Sequence, residues 1–165
     1  MRPPLILAPH GSALLEPLLI ALGRRFVRLA APADLADVQD GVDLLAPVAG
    51  HDPVDWAQEL GAWRQPTLLI LDGADRPASQ GALHHALLRQ HRVPILGLLQ
   101  VGGGWDPVAR RRDGLPWFPP LADPADDPHA VLALLEVRRH AVVRPVQDHR
   151  GVLQRHLLPL RLPCP

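Results

Sequence analysis

Short apolar runs alternate along this chain with longer stretches in which apolar residues recur every three or four positions. That alternation is the mark of strands joined by crossover helices. Leu5-Ile6-Leu7-Ala8, Phe26 to Ala30, Val42 to Pro47, Pro66 to Leu71 and Val93 to Val101 read as five strands. The fourth, with Thr-Leu-Leu-Ile-Leu, has the unbroken apolar character of a central parallel strand buried on both faces. Between them the spacing predicts a helix from Ser12 to Arg24, capped by Ser12, and a short helix from Pro32 to Gln39 with proline in its first turn. A helix from Val54 to Trp63 would turn Trp56, Leu60 and Trp63 inward, and one from Gly81 to His91 would bury Leu83, Leu87 and Leu88. Beyond Gly102-Gly103-Gly104 the pattern loosens into a short helix within Trp105 to Arg112. The run from Leu115 to Leu121 is broken by prolines and is at best an edge strand. His129 to His140 is the last helix, with Val131, Leu134, Leu135 and Val137 as its apolar positions.

The fold class that follows is α/β: a three-layer, doubly wound, mostly parallel sheet of about five strands, Rossmann-like or flavodoxin-like. Residues 1–143 form one domain in this reading, and residues 144–165 form an extended tail rich in proline, arginine and leucine. The length of 165 residues and the 47% hydrophobic content suit one self-sufficient core. A formal net charge of zero argues against bulk nucleic acid as a partner. The apolar runs fall far short of the roughly 20 residues that span a bilayer, and Met1-Arg2-Pro3-Pro4 leads into the first strand without the features of a signal peptide. The chain therefore reads as cytoplasmic, with Cys164 an incidental thiol.

Absent residue types narrow the chemistry further. The sequence has no lysine, asparagine or tyrosine; all 17 basic residues are arginine, and the hydroxyls are Ser12, Ser79 and Thr67. Schiff-base chemistry and a Walker A lysine are thereby excluded. Doubly wound sheets bind ligands beyond the carboxyl ends of their strands. The candidate ligand residues on the following loops are His10, Gly11 and Ser12 after the first strand, Asp72 and Asp75 after the fourth, and Gln100 and Gly102 after the fifth. The Gly11-Ser12 step into a helix would aim backbone N–H groups at an anion, or Ser12 would simply cap that helix. Asp72 and Asp75 would share a cation or belong to an ordinary turn. His10 and His51, supported by Asp55, form a candidate metal set. His84 and His85 splay apart on their helix, and Arg110-Arg111-Arg112 reads as a solvated corner.

Residues from about Leu44 to Leu135 resemble the C-terminal half of the dethiobiotin synthetase family. The likeness runs through Asp55-Trp56-Ala57-Gln58-Glu59-Leu60, Gln65-Pro66-Thr67-Leu68-Leu69-Ile70-Leu71, the helix from Gly81 to Leu88, Val93-Pro94-Ile95-Leu96-Gly97-Leu98-Leu99-Gln100 and Gly114-Leu115-Pro116-Trp117-Phe118-Pro119. Members of that family bind ATP through a Walker A loop, with magnesium at the phosphates, and carboxylate a diamine. Here the corresponding loop, Ala8-Pro9-His10-Gly11-Ser12-Ala13, has neither the glycine spacing nor the lysine, and Gln100 stands where the family often has an adenine-contacting asparagine. The resemblance thus implies a trimmed, non-catalytic relative needing no cofactor. Such a module would bind another protein chain or self-associate as a dimer. Two further resemblances stay open. His10 with His51 and Asp55 is similar to the paired-histidine motif of small sirohydrochlorin chelatases, which implies a divalent metal. The regular strands also resemble a response-regulator receiver, here a pseudo-receiver, because Pro47 lies near the phospho-acceptor position and the acidic pair and switch lysine are missing.

Overall fold

The structure is a computed structural model, and it describes residues 3–8, 18–20, 22–38, 42–47, 52–121 and 128–154, with side chains described up to 142. Five strands build the sheet: β1 (Leu5–Leu7), β2 (Phe26–Leu29), β3 (Leu44–Pro47), β4 (Thr67–Asp72) and β5 (Ile95–Val101). All neighbours run parallel, in the order β2-β3-β1-β4-β5. The helices with described bounds are α1 (Pro53–Ala62), α2 (Pro77–Gln90), α3 (Pro107–Arg112) and α4 (Pro128–Gln154), and a 3-10 helix spans Pro32–Asp37. Residues 18–20 and 22 are also helical. This is the three-layer, doubly wound α/β class that the hydrophobic pattern predicts.

The pleat sorts the strand side chains into two cores. Ile6, Leu44, Ala46, Leu68 and Ile70 pack on one face with Leu18, Leu19 and Leu22 and with Val131 and Leu135 of α4. Leu5, Leu7, Leu45, Leu69 and Leu71 pack on the other, under Leu35 of the 3-10 helix, Trp56 and Leu60 of α1 and Leu88 of α2. β4 is therefore buried on both faces. β5 keeps the same division despite a register shift near Thr67 and Leu68, which sets Leu96 and Leu99, three residues apart, in the same core. At the amino ends of the strands, the buried Gln65 side chain donates to the Pro3 and Pro66 carbonyls, and Thr67 Oγ1 donates to the Gln65 carbonyl at 3.0 Å. The bond to the Pro3 carbonyl ties the segment before β4 to the segment before β1.

Two helices end the same way. In α1 the Gln65 N–H reaches the Leu60 carbonyl at 2.8 Å and the Arg64 N–H reaches Gly61; in α2, Val93 reaches Leu88 at 3.0 Å and Arg92 reaches Arg89. Both are Schellman caps. The left-handed position of each, which glycine usually fills, holds Arg64 (φ 50°) or Arg92 (φ 59°). The two ends also touch, because Gly61 lies against the His91 carbonyl so closely that a Cβ would sit 2.0 Å from its oxygen.

Several inward assignments are corrected. Trp56 and Leu60 are buried as expected, but Trp63 is 40% exposed, since it is the C-cap residue where the helical phase ends. α2 begins at Pro77 and turns Gly81, His84 and Leu88 toward the sheet, leaving Leu83 63% exposed. Gly81 decides that phase: a Cβ there would come within 3.0–3.1 Å of Leu98 and Leu71, so the helix rides close at a residue without a side chain. On α4, Val131 and Leu135 are buried while Val137 is 67% exposed. That helix continues to Gln154, past Arg144, where extended chain was expected. The segment from Leu115 to Leu121 does lie along the β5 edge, bridged at Leu98–Trp117 and Val101–Leu121. Among the described residues, no helix is long and apolar enough to cross a membrane.

Candidate functional site

The strand order fixes where a ligand crevice would open. After β1, Leu18, Leu19 and Leu22 pack on one face of the sheet, and after β4 the chain enters α2 on the other. Because β1 and β4 are neighbours, their carboxyl ends form the topological switch point. His10, Gly11, Ser12 and His51 follow β1 and β3 in the sequence and lie outside the described residues. The rest of the candidate set is on the β4 and β5 side.

Asp72 ends β4, and its Oδ1 accepts the Ala74 N–H at 2.8 Å while its carbonyl accepts the Asp75 N–H at 3.2 Å. This is an Asx turn, the ordinary means of reversing a chain at a strand end. Asp75 is exposed. Asp55 is exposed in the first turn of α1, one turn behind Asp52, whose carboxylate caps that helix through the Val54 N–H at 2.8 Å. Among the described residues, no three His, Cys, Asp or Glu side chains converge on a common point.

The β4 and β5 loops are joined by glycines. Gly73 donates its N–H to the Val101 carbonyl at 2.9 Å, and a Cβ on Gly73 would lie 1.8 Å from the Gly102 oxygen. Gly103, with φ +66°, returns the contact, for its Cβ would lie 2.4 Å from the Gly73 carbonyl. Only residues without side chains permit this approach. The two loops therefore make one continuous wall beside the switch point.

Gln100 supports that wall from below. It is fully buried, and its Nε2 donates to the carbonyls of Gly102 and Gly104, both at 3.0 Å. Its Oε1 accepts from Arg110 at 2.9 Å. Three of the four bonds a glutamine amide can make are thus internal. Arg110 is only 8% exposed, which corrects the solvated-corner reading for this residue, although Arg111 and Arg112 are exposed. Its guanidinium carbon sits 4.6 Å from the Trp117 ring centroid and 5.7 Å from that of Trp105, and the two indoles meet edge to face at 6.0 Å. Asp113 accepts the Trp117 indole N–H at 2.9 Å and lies 3.8 Å from Arg110.

Sequence reasoning did not find this Trp105–Arg110–Trp117 stack. An arginine run gives no sign of which member turns inward. The available signal was the pairing of Asp106 with Pro107, which starts a helix and so fixes its phase. Asp106 caps that helix through Val108 and Ala109 at 2.9 and 3.0 Å, and these amide bonds hold its carboxyl below the usual carboxylate value. On α2, His85 is pushed the other way from a charged state: partial burial, then the neighbouring Arg89, lowers its pKa from the ordinary imidazole value.

A separate open groove of about 530 Å³ runs along β2, floored by Val27, Leu29, Val38 and Val42 and edged by Arg25 and Asp37. Its size suits a small ligand, but its position beside the sheet edge is away from the switch point. No protein-family model matches the chain, and no curated protein matches it.

Proposed function

We propose that this domain is a non-catalytic binding or accessory module, built like a nucleotide-binding enzyme but without its phosphate chemistry. The carrying observation is the Gln100 network: at the β5 end of the crevice, the polar groups that would greet a ligand are turned to Gly102, Gly104 and Arg110. The absence of any lysine from the sequence points the same way, since a phosphate-binding loop relies on one. The likeness to dethiobiotin synthetases supplies the ancestry in this reading. The strand order favours it over the pseudo-receiver, because receivers of the flavodoxin type place β1 beside β2, whereas here β3 lies between them.

The partner in this proposal is another protein chain, a second copy included, received on the helices. Leu83 on α2 and Trp63 at the end of α1, on the same face of the sheet, supply apolar surface that is 63% and 40% exposed. Isothermal titration with ATP and magnesium tests the proposal. No heat of binding is the expected result; micromolar affinity, with the bound nucleotide protecting the loop that contains Gly11 and Ser12, would remove it.

A further inference from the structure

The excursion from β5 to the edge segment is held to the body differently from every other described element. α3 has six residues, too few to be stable alone. Arg110 is its only buried side chain; Val108 is 46% exposed, and Ala109, Arg111 and Arg112 are exposed. Where α1, α2 and α4 are fastened by leucine, valine and tryptophan, α3 is fastened by a cation.

That cation is incompletely compensated. Arg110 has one neutral hydrogen bond, to Gln100, and a carboxylate at 3.8 Å, while its buried Nε has no hydrogen-bond partner among the described residues. The indole faces of Trp105 and Trp117 supply the remaining attraction. A guanidinium held this way regains hydration on leaving its seat, so closure is weakly favoured over opening.

Glycines bracket the excursion. Gly102 and Gly103 before it and Gly114 after it have φ of +69°, +66° and +68°, and a Cβ on Gly104 or Gly114 would meet nothing within 4 Å. Beyond Gly114 the chain is firmly seated again. Phe118 N–H bonds to the Leu98 carbonyl at 2.7 Å, and its ring fills the notch at Gly97.

From the latch and the open glycines at its two ends, Gly104 and Gly114, we infer that residues 105–114 form a flap that opens and recloses as a unit on an otherwise folded body, with Arg110 as the latch and the Asp113–Trp117 bond beside it. Opening lays bare an indole face of Trp117 and frees the Gln100 Oε1 at the carboxyl end of β5. The device shares the Gln100–Arg110 bond with the binding proposal above, and its test reads the motion of the flap and not the binding of any ligand.

Amide hydrogen exchange on the full chain tests it. The amides of Val108, Ala109, Arg110 and Asp113 are the reporters for the flap, and those of β4 are the reference. In the parent, the four flap amides should exchange together and at least roughly tenfold faster than β4. Arg110→Ala should speed all four by about a further tenfold while β4 is unchanged, and should raise acrylamide quenching of tryptophan fluorescence. Gly114→Ala, which strains the closed form at a hinge without touching the latch, should speed the same four amides. The inference is overturned if the parent flap is as protected as β4, or if Arg110→Ala accelerates β4 and the flap alike.

Discussion

Replacing Arg64 and Arg92 together by glycine should stabilise this protein, although both arginines are exposed surface residues. Each sits at the left-handed position of a Schellman cap, with φ of 50° and 59°. For a residue with a Cβ that conformation costs roughly 1–2 kcal/mol. Glycine removes the cost but returns about 0.4–1 kcal/mol through the greater freedom of the unfolded chain. Removing a cation from a helix C-terminus costs a further few tenths, roughly 0.3 kcal/mol at an exposed end. The balance is a gain of about 0.5 kcal/mol per site. The pair should thus give about 1 kcal/mol, or roughly 2–4 °C in Tm for a domain of this length. The two helix ends touch through Gly61 and His91, so the double variant is the safer measure than a sum of singles. Arg64→Ala with Arg92→Ala is the control, because alanine removes the same charges and keeps the strain. Thermal and urea unfolding of the two double variants decide the matter: the glycine pair should exceed the alanine pair by about 1.6 kcal/mol. Equal stabilities would refute the reasoning.

Other consequences follow from single contacts. Gly97→Ala places a Cβ 2.2 Å from the Phe118 ring and 2.8 Å from the Pro116 carbonyl, so the edge segment must shift; urea unfolding should show a loss of about 1–3 kcal/mol. His85, whose pKa is lowered in the fold, binds its proton more readily in the unfolded chain. Stability should therefore fall as pH drops below the ordinary imidazole value near 6.5, and His85→Gln should flatten that part of the curve of Tm against pH. Asp106 has the opposite chemistry, a carboxyl held below its ordinary value. Its cap on α3 is present at neutral pH and is lost as pH falls through the lowered value, so the protection of the Val108 and Ala109 amides relative to their intrinsic exchange rates should fall both in strong acid and in Asp106→Ala, but not in Asp106→Asn.

The fold was legible because its signal is redundant. Five apolar runs, each bounded by turn residues, leave few arrangements other than a parallel sheet between helices, and β4 showed its burial on both faces in five consecutive apolar or β-branched residues. Helical faces were less legible, because close approach at Gly81 rotates α2 so that His84 turns in and Leu83 turns out; a glycine contributes nothing to a hydrophobic pattern. At the site, Asp72 and Gln100 were found from their places at strand ends, which the topology makes special whatever the residue does. Their bonds to Ala74, Gly102, Gly104 and Arg110 were not legible, since each depends on loop geometry that no spacing rule encodes. Arg110 was misread for the same reason. In a run of three arginines composition says solvent, and only the phase set by Asp106 turns one of them between Trp105 and Trp117.

Thermal unfolding with and without millimolar ATP and magnesium tests the central claim most directly, that Asp72 and Gln100 at the carboxyl ends of β4 and β5 fasten the protein to itself. The account predicts the same Tm in both conditions. A ligand at one hundred times its Kd adds roughly 2.7 kcal/mol to stability, so a rise of several degrees on adding the nucleotide would contradict it.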